Sequence, residues 1–361
     1  MPAAIHIRQP SLTLRAGPRA MARLREHGLQ ASDVHIIPGA AGGPKGLGIQ
    51  GLDFAVFGEF LPQAPQVRSL VGASIGAWRM ASVCMPDPIA GLKRLSELYT
   101  SMSFPKGLSL AEVTRLCRDM LDALLAEQDA NILSNPHYRL NVMVNRTHGQ
   151  LQHDSRGRVA LGLAAVISNN LLGRRRLAKH FDRLIAHDPR QAPPLAGRDA
   201  FANEHLALNL DNLRPALLAS GSIPLVMLGV KDIPGAGPGT YRDGGLLDYH
   251  LDLPYQTGGI VLYPHFTDRV VPGWFDKSLP WRHGSHSRLQ DVLLLAPSKD
   301  YLASLPHGKL PDRSDFRRYL GDDAGRARYW QHAMAESQRM GDEFLELVAN
   351  GKLAERLQPL R

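Results

Sequence analysis

The pentapeptide Gly72-Ala-Ser-Ile-Gly76 places a serine between two glycines, after a short predicted strand and before an apolar stretch with helical spacing. A nucleophilic serine stands on a sharp strand-to-helix turn, and the flanking glycines remove Cβ atoms that would clash there. The N-terminus of the following helix favours developing negative charge. The motif therefore predicts Ser74 as the nucleophile of an acyl transfer; the alternative is a strand–helix turn that contains a serine by chance.

A serine hydroxyl needs a base, and the chain offers two candidates, an aspartate on a glycine turn and a histidine. Asp243-Gly244-Gly245 holds an acid on a tight turn that another loop can approach closely, although an Asp-Gly turn by itself is common. The 15 histidines also leave a triad open, in the order Ser74, Asp243 or Asp248, and His265.

A second glycine-rich turn, Gly39-Ala-Ala-Gly-Gly-Pro-Lys-Gly46, follows a predicted strand over residues 34–37. Such turns bring backbone N–H groups close to negative charge. Ala41 breaks the dinucleotide pattern G-x-G-x-x-G, and Pro44-Lys45-Gly46 is not the G-K-[ST] of a P-loop. The turn is therefore not predicted to bind a nucleotide.

Taken together and in their order along the chain, the glycine loop, the serine motif and the aspartate motif resemble the patatin-like phospholipase family. The family's pattern is a G-G-G-x-[RK]-G loop, a G-x-S-x-G serine and a D-G-[GA] aspartate. The loop here reads Ala41-Gly42-Gly43-Pro44-Lys45-Gly46, with alanine in the place of the first glycine. Alanine fits there only if its φ is negative. The segment Ala219–Pro224 is similar to a small-residue block that the family carries before its aspartate, and the resemblance spans residues 34–255.

The resemblance implies a Ser-Asp dyad, in which Ser74 attacks an ester carbonyl and Asp243 accepts its proton directly. Because an ordinary aspartate is a weak base toward serine, burial must raise its basicity. The amides of Gly42 and Gly43 are the expected oxyanion donors, and Lys45 either adds positive charge or is a solvated loop lysine. The remaining motif positions are Gly46, Gly72, Gly76, Gly244 and Gly245. A dyad of this kind requires no cofactor.

The elements that position these motifs alternate between strand and helix, which predicts an α/β fold with a largely parallel sheet. Following the resemblance, we expect a three-layer α/β/α sandwich, with an acyl hydrolase domain over residues 30–300 and a helical C-terminal extension over residues 301–361 packed on it. Strands are predicted at residues 34–37, 68–71, 139–145, 158–168, 259–263 and 292–296. Helices are predicted at residues 20–28, 46–61, 77–83, 110–127, 206–219 and 322–349.

Composition excludes several classes of protein. With two cysteines in 361 residues, Cys84 and Cys117, we expect neither a disulfide framework nor a cysteine zinc site, and we expect a reducing compartment. His250, His265, His283 and His286 lack the i,i+4 spacing of a helical metal pair, so no metal is predicted. The formal net charge is +8, but the charges are dispersed, and the one basic run, residues 173–180, lacks the interleaved aromatic residues of a single-strand binder. Nucleic acid is therefore not an expected partner.

No run of about eighteen apolar residues predicts a membrane span, and residues 1–17 lack the apolar segment of a cleaved signal. We expect a cytoplasmic protein with peripheral contact to anionic membranes; export without a cleaved signal stays open. Trp274, Phe275 and Trp281 are candidates either for lipid contact or for the core.

The expected activity is hydrolysis of lipid acyl esters, of the phospholipase A kind. Two alternatives remain at this point. One is an α/β-hydrolase-type esterase with a histidine base, and the other is a non-catalytic lipid-binding protein of the same fold.

Overall fold

A computed structural model describes residues 9–196, 199–284 and 287–360. Residues 1–8, part of the segment predicted to lack a signal, and His286 lie outside the described residues. The strands are β1 (Leu12–Ala16), β2 (Val34–Gly39), β3 (Arg68–Ala73), β4 (Tyr138–Thr147), β5 (Phe181–His187), β6 (Asn203–Ala207), β7 (Val230–Lys231), β8 (Thr240–Asp243), β9 (Ile260–Pro264), β10 (Val292–Pro297) and β11 (Leu357–Pro359). The α-helices are α1 (Pro18–His27), α2 (Gln50–Phe54), α3 (Ile75–Val83), α4 (Pro88–Ser101), α5 (Leu110–Leu125), α6 (Asp129–Ser134), α7 (Arg156–Leu172), α8 (Leu213–Ser220), α9 (Lys299–Ser304), α10 (Ser314–Arg318), α11 (Asp323–Glu336) and α12 (Gln338–Ala349).

The strands form a mixed sheet in the order β11-β1-β10-β9-β2-β3-β4-β5-β6. The central run from β10 to β4 is parallel, whereas β1 pairs antiparallel with β10 and β5 antiparallel with β4. The central strands β3, β9 and β10 are buried along their whole length, as expected for parallel strands covered by helices. The prediction of an α/β fold with a mostly parallel sheet flanked by helices is confirmed.

One pairing beside the main path brings two chain-distant segments together. β3 pairs with the first part of β4 and ends with Ala73 opposite Met143. β8 pairs antiparallel with the second part of β4 and ends with Asp243 opposite Val144. Since β5 occupies the other edge of β4 over the same residues, β8 and β3 lie on one edge and meet end to end.

Both ends of the chain contribute to the same sheet. β1 pairs with β10, and β11 adds to the outer edge of β1. In addition, α12 packs against α2, and the Gly51 amide donates to the Ser337 hydroxyl at 2.7 Å. The sheet therefore includes strands from before residue 30 and after residue 300.

Three element predictions were wrong. Residues 158–168, predicted as a strand, lie in α7; the continuous apolar run does not distinguish the two structures by its period. The predicted helix over residues 206–219 is divided between β6 and α8, and that over residues 322–349 is divided at Ser337 into α11 and α12. In the described part of the chain, no helix is both long and apolar enough to cross a membrane.

Candidate active site

Ser74 occupies a strained backbone position between β3 and α3. Its φ of 55° and ψ of −131° are unfavourable for any residue with a Cβ, at a cost of about 1–3 kcal/mol. The flanking glycines are required by space, because a Cβ at Gly76 would lie 1.9 Å from the Gly39 carbonyl oxygen and one at Gly72 would lie 2.4 Å from Ala77 Cα. The turn therefore holds Ser74 at the carboxyl end of the sheet.

The structure brings Ser74 and Asp243 together across 169 residues of sequence. The Ser74 hydroxyl donates to Asp243 Oδ2 at 2.8 Å. The Ser74 amide donates to Ser220 Oγ at 2.8 Å, and that hydroxyl donates to the Met143 carbonyl at 2.7 Å. Ser220 belongs to the small-residue block of the sequence, which thus anchors the Ser74 turn to β4.

Asp243 is held by its own turn and by β4. Its Oδ1 accepts from the Gly245 amide at 2.7 Å, which leaves Oδ2 for the serine. The Asn145 side-chain amide donates to the Asp243 carbonyl at 2.7 Å and to the Gly244 carbonyl at 3.1 Å. A Cβ at Gly244 would lie 2.0 Å from the Met143 carbonyl oxygen, so the turn packs directly on the β4 backbone.

Burial raises the pKa of Asp243, and the charge of Arg313 and the hydrogen bonds from Ser74 and Gly245 only partly offset it. Asp243 is only 6% exposed to solvent. Desolvation disfavours the charged form of a carboxylate and makes it a stronger base. Asp243 thus has the raised basicity that direct proton transfer from serine requires.

The glycine loop lies beside this pair. Gly43 has a φ of 59°, a left-handed conformation that favours glycine. Ala41 is not among the described residues with positive φ, so alanine fits its position, and a Cβ at Gly245 would lie 2.7 Å from the Ala41 methyl group. At Gly46, by contrast, a Cβ would come no closer than 3.9 Å to Ile75, so space does not require a glycine there.

The amides of Gly42 and Gly43 donate to no group in the described part of the chain. Gly42 lines one cavity with Ser74 and Asp243, and Gly43 lines a second cavity with Ser74. Gly42 packs on the edge of the Phe266 ring, and a Cβ added at Gly42 would lie 2.6 Å from Phe266 Cε1. Two unpaired amides therefore belong to residues that line the same cavities as Ser74, and donors of this kind can stabilise an oxyanion.

Two cavities of different character meet at Ser74. The first, of about 440 Å³, is lined by Lys45, Lys277, Arg313 and the Ser74–Asp243 pair, among other residues. The second, of about 290 Å³, is mostly apolar. Its apolar lining residues include Ile75, Trp78, Phe104, Val113, Met120 and Phe316.

Neither a protein-family model nor a curated protein gives a significant match to this chain.

The basic side chains of the first cavity have no close acidic partner. In the described ranges, no carboxylate oxygen lies within 4.0 Å of a side-chain nitrogen of Lys45, Lys277 or Arg313. Burial and the neighbouring charges of Lys45 and Arg313 lower the pKa of Lys277 to about 7, although its side chain is exposed at the cavity mouth. Burial also lowers the pKa of Lys45. Asp243 and Asp312 also line this cavity, but the three basic side chains outnumber them. The mutual repulsion that adds to burial in lowering the pKa of Lys277 is what a bound anion would relieve.

The histidine alternative finds no support in the geometry. Among the described residues, no histidine lines either cavity or bonds to Ser74. His265 is buried and bonds through Nδ1 to the Thr267 backbone, and burial lowers its pKa to about 3. Asp248 is held by Arg183 through bonds of 2.7 and 2.8 Å, so it is not placed to orient a base.

Sequence reasoning missed four residues at this site. Lys277 and Arg313 line the first cavity, Tyr249 lies 4.0 Å beneath the Lys277 ammonium, and Asn145 holds the Asp243 turn. None lies in a recognisable motif. Lys277 follows Trp274 by three residues, and the sequence marked that tryptophan only as a candidate for lipid contact or for the core.

Proposed function

We propose that the protein is a serine acyl-ester hydrolase of the patatin-like kind, with a three-layer α/β/α core. The observation that carries the proposal is the 2.8 Å hydrogen bond from the Ser74 hydroxyl to Asp243 Oδ2, made by a serine with a strained backbone between a strand and a helix. Strain at such a turn is typical of an exposed nucleophile.

In the first half-reaction, Ser74 Oγ forms a bond to the ester carbonyl carbon while its proton passes to Asp243 Oδ2. The amides of Gly42 and Gly43 donate to the oxygen that becomes negative, and each such donor is worth about 3–4 kcal/mol in serine hydrolases. Collapse of the intermediate breaks the ester C–O bond. Asp243 returns the proton to the departing alcohol, and the acyl group remains on Ser74.

In the second half-reaction, Asp243 accepts a proton from a water molecule, which attacks the acyl-serine carbonyl. The same two amides stabilise the second oxyanion. The carboxylic acid leaves, and Ser74 recovers its proton from Asp243. The raised pKa strengthens Asp243 as the base that abstracts the proton, and its protonated carboxyl group is still acidic enough to return the proton to the much more basic departing alkoxide.

The two cavities support a lipid ester as the substrate class. The apolar cavity suits an acyl chain, and the cavity that contains Lys45, Lys277 and Arg313 suits an alcohol portion that carries negative charge, such as a phosphate ester. Both contain Ser74, so an ester carbonyl at their junction would lie beside the nucleophile.

Below about pH 7, where Lys277 is protonated, the double variant Lys277→Gln, Arg313→Gln is expected to raise KM for an anionic ester by about two- to fivefold for each charge removed, because both side chains are exposed. A neutral ester of the same acyl length should change less, and added salt should reduce the difference between the two substrates. Steady-state kinetics on the substrate pair measures this. Arg317→Gln is the matched control, since Arg317 is exposed on α10 and lines neither cavity. Equal losses on both esters would remove the anion from the proposed substrate.

The proposed activity is tested by hydrolysis of a panel of phospholipid, neutral glyceride and short-chain esters. Wild-type protein should release free fatty acid from at least one lipid class, and Ser74→Ala should release none above background. Fatty-acid release that persists in Ser74→Ala, or a folded wild-type protein that is inactive on the whole panel, contradicts the proposal.

A further inference from the structure

The solvent-facing side of α7 is apolar although nothing in the described structure covers it. The stretch from Val159 to Gly173 contains no charged residue. Leu161 is 63% exposed, Leu171 is 61% exposed and Leu172 is 68% exposed. These residues recur at helical spacing and share one side of the helix with Ala164, Ala165 and Ser168, which are also exposed.

The opposite side of α7 is buried in the protein. Val159, Gly162, Val166 and Asn170 are buried and face a small cluster that includes Leu151, Phe181 and Leu247. A helix that is apolar all round is normally enclosed on every side. Here one side has its partner within the fold and the other does not.

Two tryptophans are fixed beside the C-terminal end of this helix. Trp281 is 74% exposed and Trp274 is 42% exposed. The short helical turns that carry them are tied to α7 by Asp276, which accepts from the Asn170 side chain at 2.9 Å, and by Arg282, which donates to the Asn170 carbonyl at 2.7 Å. The tryptophans therefore lie beside the C-terminal end of α7. We call the exposed apolar residues of this region the α7 platform, which comprises Leu161, Ile167, Leu171, Leu172, Trp274 and Trp281.

Positive charge borders the α7 platform directly. Arg175, Arg176 and Lys179 follow α7 in the chain and are exposed. In the part of the chain that the structure describes, none of them has a carboxylate within 4.0 Å. Arg174, the fourth basic residue, is turned inward onto Asp276 at 3.0 Å.

The α7 platform also adjoins the entrance of the catalytic cavity. Leu163 of α7 and Trp274 line that cavity together with Ser74. Leu225 and Val226, which are 39% and 45% exposed, line it as well. A surface that seats on a bilayer here would bring the cavity mouth to the lipid.

We infer that the α7 platform docks on the surface of an anionic bilayer. Leucines enter the boundary between headgroups and acyl chains, tryptophans lie at headgroup level, and arginines meet anionic headgroups. The flanking unpaired cations favour this occupant over a second copy of the chain, which carries a net charge of +8. The choice of a bilayer rests on the proposed lipid hydrolase function, but docking itself needs no turnover.

The experiment uses the full chain with Ser74→Ala, so that binding is measured without hydrolysis. Sedimentation with phosphatidylcholine vesicles is compared with sedimentation with mixed phosphatidylcholine and phosphatidylserine vesicles. We expect binding to the anionic vesicles and at least tenfold weaker binding after Leu161→Gln, Leu171→Gln and Leu172→Gln are combined. Arg175→Gln, Arg176→Gln and Lys179→Gln should each weaken it by about fivefold. Val67→Gln, at the opposite end of β3 from Ser74 and 46% exposed, is the matched control and should bind like its parent.

A second readout locates the contact. Of the four tryptophans, Trp78 and Trp330 are buried, so quenching by brominated lipids should come from Trp274 and Trp281 and should fall in Trp281→Phe. Absence of binding to anionic vesicles, or an equal loss in Val67→Gln, overturns the proposal. A dimer seen by light scattering and dispersed by the triple leucine variant also overturns it, because a second copy would then cover the platform. In a protein with Ser74 intact, the triple leucine variant should still hydrolyse a soluble short-chain ester. If neither the wild type nor this variant hydrolyses the ester, the proposed function fails, whereas the docking proposal is judged by vesicle binding.

Discussion

Asp243→Asn is expected to lower kcat for ester hydrolysis by about 10²–10⁴-fold, the usual contribution of a general base. Asparagine keeps the shape of the side chain and can still accept from the Gly245 amide. At the position of Oδ2, however, the NH₂ group of asparagine cannot take a proton from the Ser74 hydroxyl. Initial rates on the best ester of the panel measure the loss, with wild-type protein assayed in parallel.

The same variant should not be less stable than the wild type at neutral pH. Burial raises the pKa of Asp243 in the folded protein, so the ionised carboxylate is less favourable in the folded state than in the unfolded one. The stability contributed by this group is therefore present below its unfolded pKa and lost as pH rises through the folded pKa. The neutral amide of the variant avoids that loss, and urea denaturation at neutral pH should show an equal or higher midpoint.

Matched histidine variants decide between the dyad and a histidine base. His250→Gln and His265→Gln alter buried rings behind the glycine loop, where His265 stacks on Phe266. They are expected to reduce stability but to keep most of kcat in the folded fraction. A folded histidine variant as inactive as Asp243→Asn would show that the base has been assigned to the wrong residue.

The wild-type rate should rise with pH as Asp243 ionises, and the rise should occur at a pH above the usual aspartate value because the pKa of Asp243 is raised.

Gly43→Ala is expected to reduce kcat by up to about 10²–10³-fold, the effect of removing one oxyanion donor. Its φ of 59° disfavours any residue with a Cβ by about 1–2 kcal/mol, and the new methyl group would lie 2.9 Å from Arg313 Nε. Arg313 can shift to relieve the second contact, but relief of the backbone strain is expected to reorient the Gly43 amide. Single-turnover kinetics, which isolates acyl transfer from product release, measures the effect.

Gly46→Ala is the control within the same loop. A Cβ there meets only Ile75, at 3.9 Å, so rate and stability should stay close to those of the wild type. If both substitutions reduce the acyl-transfer rate equally, the loss reflects general damage to the loop, and the oxyanion role of Gly43 is rejected.

The parts of the site that could be predicted from the sequence are those whose chemistry is local. The strand, serine turn and helix around Ser74 form a single contiguous segment, and their glycines are needed because backbone atoms of Gly39 and Ala77 approach within contact distance. The small-residue block at Ala219–Pro224 was predicted only through the family resemblance, and its Ser220 accepts a hydrogen bond from the Ser74 amide.

Other parts depend on pairings between distant segments. Asp243 was predicted as the partner of Ser74 through the family resemblance alone. It reaches Ser74 because β8 continues the edge of β4 beyond the end of β3, and no local pattern specifies that register. Lys277 and Arg313 enter the cavity through packing of loops whose sequences carry no motif. α7 was predicted as a strand because its polar face is missing, which is the same property that leaves an apolar surface exposed.

The most direct test of the central claim is labelling with a fluorophosphonate, which forms a bond from a reactive serine oxygen to phosphorus and releases fluoride. We predict one label per folded wild-type molecule, located by peptide mass spectrometry at Ser74, no label in Ser74→Ala, and much slower labelling in Asp243→Asn. A folded wild-type protein that takes no label, or that is labelled at a different serine, would contradict the assignment of Ser74 as the nucleophile.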